Sequence, residues 1–401
     1  MTNVMTLGEV ATYINGRAFK PSEWEETGLP IIRIQNLTES NKKYNYSSKT
    51  FDEKFRIKND DLLFAWSASL GAFIWKGGDA WLNQHIFKVE PKPFIQKRYL
   101  YYFLLYVIAD LYAKTHGSGM VHITKGPFMS TPIQVPSRPE QKRIVEKIDE
   151  LFSDLDAAEA ELLISQKKLD IYRTSLLTLA SEGFPLTEKN STLSSWKRVK
   201  IENILSDSDK GMTTGPFGTM LPKKDHRKVG IPVLGIENIG NGIFVDGNKI
   251  FIDIEKSREL KSFQVAPDDI IISRSGTVGK LCVVPSYVGE AYLSTNLIRI
   301  KLNKKKIIPQ FFVYFFLSKG IVWEQIKELC KGSTRPFLNQ TILKSIDFPL
   351  PSLDDQRRIL NIIESKFSIC DVLQKQIAES IIKSKALRQG ILKQAFEGGL
   401  V

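Results

Sequence analysis

The sequence predicts an α+β protein built twice over. Two β-rich domains are each followed by a long helix, and the helices pair antiparallel as a coiled coil with a β-rich domain at each end. Three observations carry this expectation. From Glu140 to Glu182 apolar residues recur every seven positions, one row being Ile148, Leu155, Leu162, Leu169 and Leu176. The partner row reads Ile144, Leu151, Ala158, Ser165, Tyr172 and Leu179. The pattern returns 215 residues later, where Gln356-Arg-Arg-Ile359 repeats Gln141-Lys-Arg-Ile144. Each copy is preceded by short β-prone runs separated by Gly, Asn, Asp and Pro.

In chain order, residues 1–138 form the first β-rich domain, with strands expected at Pro30–Ile34, Asp61–Phe64 and Ile86–Val89. A buried helix over Tyr99–Lys114 follows, then a Gly-rich turn at His116–Met120 and a strand-like exit at Ile133–Pro136. Residues 139–183 are the first long helix, stopped by Gly183 and Pro185. At 1.5 Å per residue it would run about 65 Å, too long for one core element of a small domain. Residues 184–195 read as a polar linker.

Residues 196–351 repeat the first domain. Pro232-Val-Leu-Gly-Ile-Glu-Asn238 resembles Pro30-Ile-Ile-Arg-Ile-Gln-Asn36, and Asp269–Gly279 resembles Asp61–Gly71. Residues 352–401 are the second long helix, with Ile363, Ile377 and Ile391 at the positions of Ile148, Leu162 and Leu176. Two helices of similar length, each with an apolar seam, bury those seams against each other, and a two-fold relation of the halves makes them antiparallel. The alternatives are two separate helical hairpins or two intermolecular coils.

Composition narrows the function. A 42% hydrophobic and 25% charged content is that of an ordinary globular chain. Lys and Arg exceed Asp and Glu by 56 to 44, a formal net charge of +12 that suits a polyanionic partner. Cys282, Cys330 and Cys370 are odd in number and far apart, which indicates neither a disulfide framework nor a zinc site. The longest apolar runs, Tyr99–Ala109 and Ile307–Leu317, are too short to cross a bilayer, and the start lacks signal-peptide features. A cytoplasmic protein without a membrane partner is expected.

No catalytic residues are assigned. The chain has no Gly-x-x-x-x-Gly-Lys-Ser/Thr loop, no His-Glu-x-x-His pair and no Asn/Asp-Pro-Pro-aromatic tetrapeptide. His85, His116, His122 and His226 are not at metal-ligand spacing, so no metal site is expected. The β-rich parts instead carry loops that mix Gly, Ser, Thr and Arg or Lys with aromatics. These side chains suit base edges and phosphates.

At Pro136-Ser-Arg-Pro-Glu-Gln-Lys-Arg-Ile-Val-Glu-Lys-Ile-Asp-Glu-Leu-Phe152 the chain resembles the specificity subunit of type I restriction–modification systems. Pro349-Leu-Pro-Ser-Leu-Asp-Asp-Gln-Arg-Arg-Ile359 echoes it. The resemblance implies two target recognition domains, each reading half of a split site in double-stranded DNA through the major groove. It also implies a helical spacer that docks two methylation subunits, and motor-nuclease restriction subunits as further partners. S-adenosylmethionine, ATP and Mg would be used by those partners, leaving this chain without a cofactor.

Base contacts do not carry over from the resemblance, so loop chemistry selects them. The DNA-binding candidates are Arg17, Lys20, Trp66, Ser67, Ser69, Ser118 and Lys125 in the first half. In the second half they are Thr214, Phe217, Lys223, Arg274, Ser275, Thr277, Thr334 and Arg335. Gln141, Arg143, Gln356 and Arg358, at the helix entries, are the candidates for the methylation partner. The second half departs from the first at Asp354-Asp355 and in a more polar seam, Ser380 and Ser384, which would loosen that helix or mark a partner contact. The competing function is a coiled-coil protein-interaction scaffold that does not read DNA sequence.

Overall fold

The computed structural model describes residues 3–39, 41–114, 125–181, 196–274, 279–318, 320–329 and 338–400. The chain divides into two compact units. The first joins Met1–Leu163 with Ala378–Val401, and the second is Ile164–Ile377. The two long helices, Arg138–Ser181 and Leu353–Glu397, each contribute to both units. The expected linker, 184–195, lies outside the described residues.

The first unit holds β1 (Asn3–Thr6), β2 (Ala11–Asn15), β3 (Leu29–Ile32), β4 (Asn45–Ser47), β5 (Arg56–Ile57), β6 (Leu62–Ala65), β7 (Gly71–Ile74), β8 (Ala80–Leu82), β9 (Ile86–Pro91) and β10 (Pro132–Val135). They form two four-stranded sheets, ordered β2-β9-β6-β7 and β4-β3-β8-β5, and a separate β1-β10 ribbon. The second unit holds β11 (Lys197–Lys200), β12 (Met212–Thr214), β13 (Ile231–Leu234), β14 (Ile250–Ile252), β15 (Gln264–Val265), β16 (Ile270–Ser273), β17 (Leu281–Val283), β18 (Ala291–Leu293), β19 (Leu297–Ile300) and β20 (Asp347–Leu350). Its sheets are β12-β19-β16-β17 and β14-β13-β18-β15, with a β11-β20 ribbon. Strand for strand this is the same fold, down to a parallel strand pairing in each unit, β3 with β8 and β13 with β18.

In the first unit the helix Lys97–Lys114 lays Tyr99, Leu100, Phe103 and Leu104 on the sheet residues Leu62, Phe64, Phe87 and Val89. The second unit does the same with Pro309–Leu317, whose Phe311, Phe312, Phe315 and Phe316 pack with Ile270, Ile272, Ile298 and Ile300. The entries to β6 and β16 repeat a left-handed aspartate, Asp60 at φ 73° and Asp268 at φ 67°. Aspartate tolerates that conformation better than most residues.

The helix entries fix the long helices to the sheets. Gln141 is completely buried; its Nε2 donates to the carbonyls of Phe94 (3.1 Å) and Pro136 (2.9 Å), and its Oε1 accepts from the Gln96 amide at 2.8 Å. Gln356 is equally buried, donating to Lys306 and Pro351 carbonyls at 3.0 and 3.1 Å and accepting from the Ile308 amide at 2.9 Å. This corrects the expectation that Gln141 and Gln356 face a partner. Both amides are saturated inside their own unit because each plugs a gap in backbone hydrogen bonding. Arg143 and Arg358, beside them, are exposed.

The seam between the long helices also differs from expectation in one row. Ile148, Leu155, Leu162, Leu169 and Leu176 are buried or half-buried as expected, as are Ile363, Ile377 and Ile391, and Cys370 and Ser384 complete that row. Of the expected partner row, however, Ala158, Ser165, Tyr172 and Leu179 are exposed. Their place is taken by Phe152, Glu159, Arg173 and Ala180, matched 215 residues on by Phe367, Gln374, Arg388 and Ala395. In the first unit Arg388 sits 5.1 Å over the Phe152 ring and pairs with Asp156. In the second unit Arg173 sits 4.9 Å over the Phe367 ring and pairs with Asp371. Each unit thus contains the same Arg–Phe–Asp clasp. Within the second unit Arg173 meets Asp371 while Asp170 meets Gln374, so the helices there run antiparallel.

Candidate nucleic-acid interface

In the first unit the loops after β2, β3, β6 and β8 gather around one cleft of about 400 Å³. Trp24, Arg33, Gln35, Ser69, Asn83, Gln84 and His85 line it. The β2 loop leaves its strand at Gly16, whose amide bonds the Ile86 carbonyl at 3.0 Å. A Cβ there would stand 2.1 Å from the Asn83 carbonyl oxygen, so only glycine fits. The β3 loop is held by the buried Asn36. Its Oδ1 accepts from the Arg33 amide and its Nδ2 donates to the carbonyls of Lys42 and Lys43.

This cleft offers base-edge chemistry. Arg33 lies 5.7 Å over the half-exposed Trp24 ring, and the Gln84 amide contacts the His85 imidazole at 2.9 Å. Amides, an imidazole and a guanidinium together present both donors and acceptors. Trp66 stands behind them, its indole N–H donating to Asn15 at 3.1 Å and its ring stacked near Phe87. Trp24, Arg33, Gln35, Gln84 and His85 escaped the sequence reading. Their signal was positional for four of them, since Arg33 and Gln35 lie within the repeated segment Pro30–Asn36 and Gln84 and His85 directly precede the run Ile86–Val89; Trp24 had none.

The second unit builds the same edge. Gly215 bonds the Leu297 carbonyl at 2.9 Å, and a Cβ there would lie 1.9 Å from the Ser294 carbonyl oxygen. Asn238, buried, accepts from the Gly235 amide at 2.8 Å and donates to Val245 at 3.0 Å. Arg274 and Asn296 are joined through the backbone as Trp66 and His85 are. Thr214 takes a hydrogen bond from Gln340 at 2.9 Å.

Of the sequence-chosen DNA contacts, Lys20, Ser69, Lys125, Phe217 and Lys223 are exposed, and Trp66, Thr214 and Arg274 are half-buried. Ser118, Ser275, Thr277, Thr334 and Arg335 lie outside the described residues. Two choices are corrected. Ser67 is buried at 1% exposure, because its side chain turns into the domain from the end of β6. Arg17 is held by Glu23 at 2.6 Å and lies 4.9 and 4.3 Å over the Phe19 and Phe51 rings, so it closes its own loop. The Arg17 guanidinium, with the Lys20 amide, in turn holds the Glu23 carboxyl down at about 2.

Comparison with known proteins gives a consistent result. The family model described as the type I restriction modification DNA specificity domain matches residues 2–164 and again 215–383. The specificity subunit of the type I restriction enzyme EcoBI of Escherichia coli is 28% identical over a 411-residue alignment, covering 99% of this chain and 85% of that protein. The StySPI specificity subunit of Salmonella potsdam is 24% identical, covering 98% and 87%. A chain solved in a study of type I R-M system assembly superposes with a TM-score of 0.69 at 19% identity, over 100% of this chain and 98% of that one.

Proposed function

With two copies of the type I restriction–modification DNA specificity domain the chain belongs to that family, and we propose that it is the sequence-reading subunit of a type I restriction–modification complex. Each unit reads one half of a split site in double-stranded DNA. The observation that carries this reading is one scaffold used twice with different side chains at the same edge. Asn83, Gln84 and His85 in the first unit stand where Ser294, Thr295 and Asn296 stand in the second. A repeated frame with substituted readers is what an asymmetric two-part target requires.

In this reading the chain supplies recognition, and the chemistry belongs to partners in the cytoplasm. Two methylation subunits carry S-adenosylmethionine, and motor-nuclease subunits use ATP and Mg. Arg143 and Arg358, exposed two residues past the buried glutamines, are the helix-entry residues available to the methylation subunits. The basic excess of the chain supplies phosphate contacts and makes binding salt-dependent.

The test is to purify the chain with its methylation subunits, methylate a genomic library and sequence the modified adenines. One bipartite sequence with a fixed gap is the expected result. Uniform methylation of random DNA would overturn the reading, and DNA affinity independent of salt would point instead to a protein-interaction scaffold.

A further inference from the structure

We propose that Phe217 is an apolar base contact of the second unit, its ring entering the major groove while the lysines of the same loop hold the flanking phosphates. The inference rests on the DNA-reading function proposed above and adds a residue-level role to it. Phe217 is 80% exposed, the second most exposed of the large hydrophobic residues described. A single exposed ring is ordinary on a protein surface; this one is distinguished by its place, on the loop that leaves the candidate reading edge at Gly215 and runs on into a lysine cluster.

The ring is presented rigidly. Gly215 is pinned to Leu297, Pro216 is buried with its φ fixed by its ring, and the Met220 amide closes a turn onto the Phe217 carbonyl at 2.8 Å. The turn therefore carries little conformational entropy into binding. Charge identifies the occupant. The loop continues through Lys223, Lys224, Arg227 and Lys228, all exposed, against one acid, Asp225. Asp225 is paired with Lys256 at 2.9 Å and Arg227 with Asp253 at 2.9 Å, which among the described residues leaves the lysines to face a polyanion. An apolar ring flanked by lysines fits a thymine methyl or a base face between two phosphates. The first unit has Ala18 at this position, counted from the matched glycines, and its neighbour Phe19 is buried against Phe51.

The experiment compares Phe217→Ala and a Lys223→Ala/Lys224→Ala double variant in the complete complex with its methylation subunits. Readouts are the methylated sequence, DNA affinity across salt concentrations and subunit association by size-exclusion chromatography. Phe217→Ala is expected to relax base preference within one half-site and weaken binding on the order of tenfold, with an unchanged salt slope. The double variant is expected to keep the sequence and lower the slope by roughly two. Phe217→Leu, which keeps an apolar group, is expected to retain most of the preference. If Phe217→Ala leaves sequence and affinity unchanged, the inference fails while the split-site reading stands on the parent complex. If it releases a methylation subunit and leaves the sequence intact, Phe217 is a protein contact and the inference also fails. A parent complex without any sequence preference would instead remove the underlying reading.

Discussion

The loops after β2 and β12 start from the same place and end as different instruments. Each begins at a glycine pressed against a carbonyl, Gly16 on Asn83 and Gly215 on Ser294. The first loop then folds onto itself, with Arg17 between Glu23 and two aromatic rings and Phe19 buried. The second puts Phe217 outward and follows it with basic residues. Elsewhere the halves agree wherever the backbone makes a demand: the glycines, the Asn36 and Asn238 staples, the left-handed aspartates, the buried glutamines and the Arg–Phe–Asp clasps. These backbone-serving positions repeat, while the outward residues of the β2 and β12 loops diverge. Substitutions at repeated positions are therefore expected to cost the two units alike, and those at diverged positions unequally.

The largest inequality is expected at a buried charge. Arg299 on β19 is 7% exposed, donates to Thr213 at 2.8 Å and to the Gln264 carbonyl, and faces Asp269 across 3.9 Å. The corresponding pair in the first unit, Lys88 and Asp61 at 3.7 Å, is more open, with side chains 18% and 26% exposed. Arg299→Met takes one of the cations from the buried Asp269, with Lys301 and Lys304 remaining, and is expected to cost about 3 kcal/mol in chemical denaturation. Lys88→Met is expected to cost under about 1 kcal/mol. pH sharpens the contrast. Burial raises the Asp269 pKa above its unfolded value, so native stability is favoured below that unfolded value and declines as pH rises through the folded one. The Arg299→Met defect should therefore shrink in acid, where a neutral Asp269 needs no partner. A defect independent of pH would show that lost packing, not the stranded carboxylate, sets the cost.

Next in size are the glutamines, where equality is the expectation. Gln141→Ala and Gln356→Ala each orphan two carbonyls and one amide in a dry site, for roughly 3 kcal/mol apiece. Costs differing by more than about 1 kcal/mol would break the equivalence of the two helix entries. The clasps come third. Arg173→Ala and Arg388→Ala are expected to cost about 1 kcal/mol each, since Asp371 and Asp156 are largely exposed. High salt should remove only the ion-pair part and leave the stacking on Phe367 and Phe152.

Much of this architecture was readable in the chain because it is written twice. The repeat of Gln141–Ile144 at Gln356–Ile359 and the heptad row from Ile148 set both long helices, and the β-prone runs set the strands that line the readers. What stayed hidden has physical causes. Apolar periodicity cannot register Arg173 or Arg388 as seam residues, because their contact is a guanidinium face on a ring. The second seam row also lies one residue further along than the apolar pattern reads, at Phe152, Glu159, Arg173 and Ala180, which leaves Tyr172 and Leu179 exposed. Gln141 looked like a partner contact because polarity alone does not distinguish a buried plug from a surface ligand. Trp24, Arg33 and Gln84 come from separate loops, and only the folded sheet edge brings them together.

The smallest expected effect has the opposite sign and lies in the seam itself. Ser384 occupies the row that Leu169 occupies in the first helix, is 7% exposed, and its hydroxyl has no hydrogen-bond partner among the described residues. A buried hydroxyl without a partner costs free energy that removing it returns. Ser384→Ala is therefore expected to stabilise the first unit by roughly 1 kcal/mol, part of it from the better helix propensity of alanine. Ser368→Ala, at an exposed position of the same helix, measures that propensity part separately. If the two substitutions stabilise equally, the Ser384 hydroxyl is satisfied and the polar seam costs the fold nothing. If Ser384→Ala stabilises more and lowers assembly with the methylation subunits, the second helix keeps a weaker seam because a partner uses it.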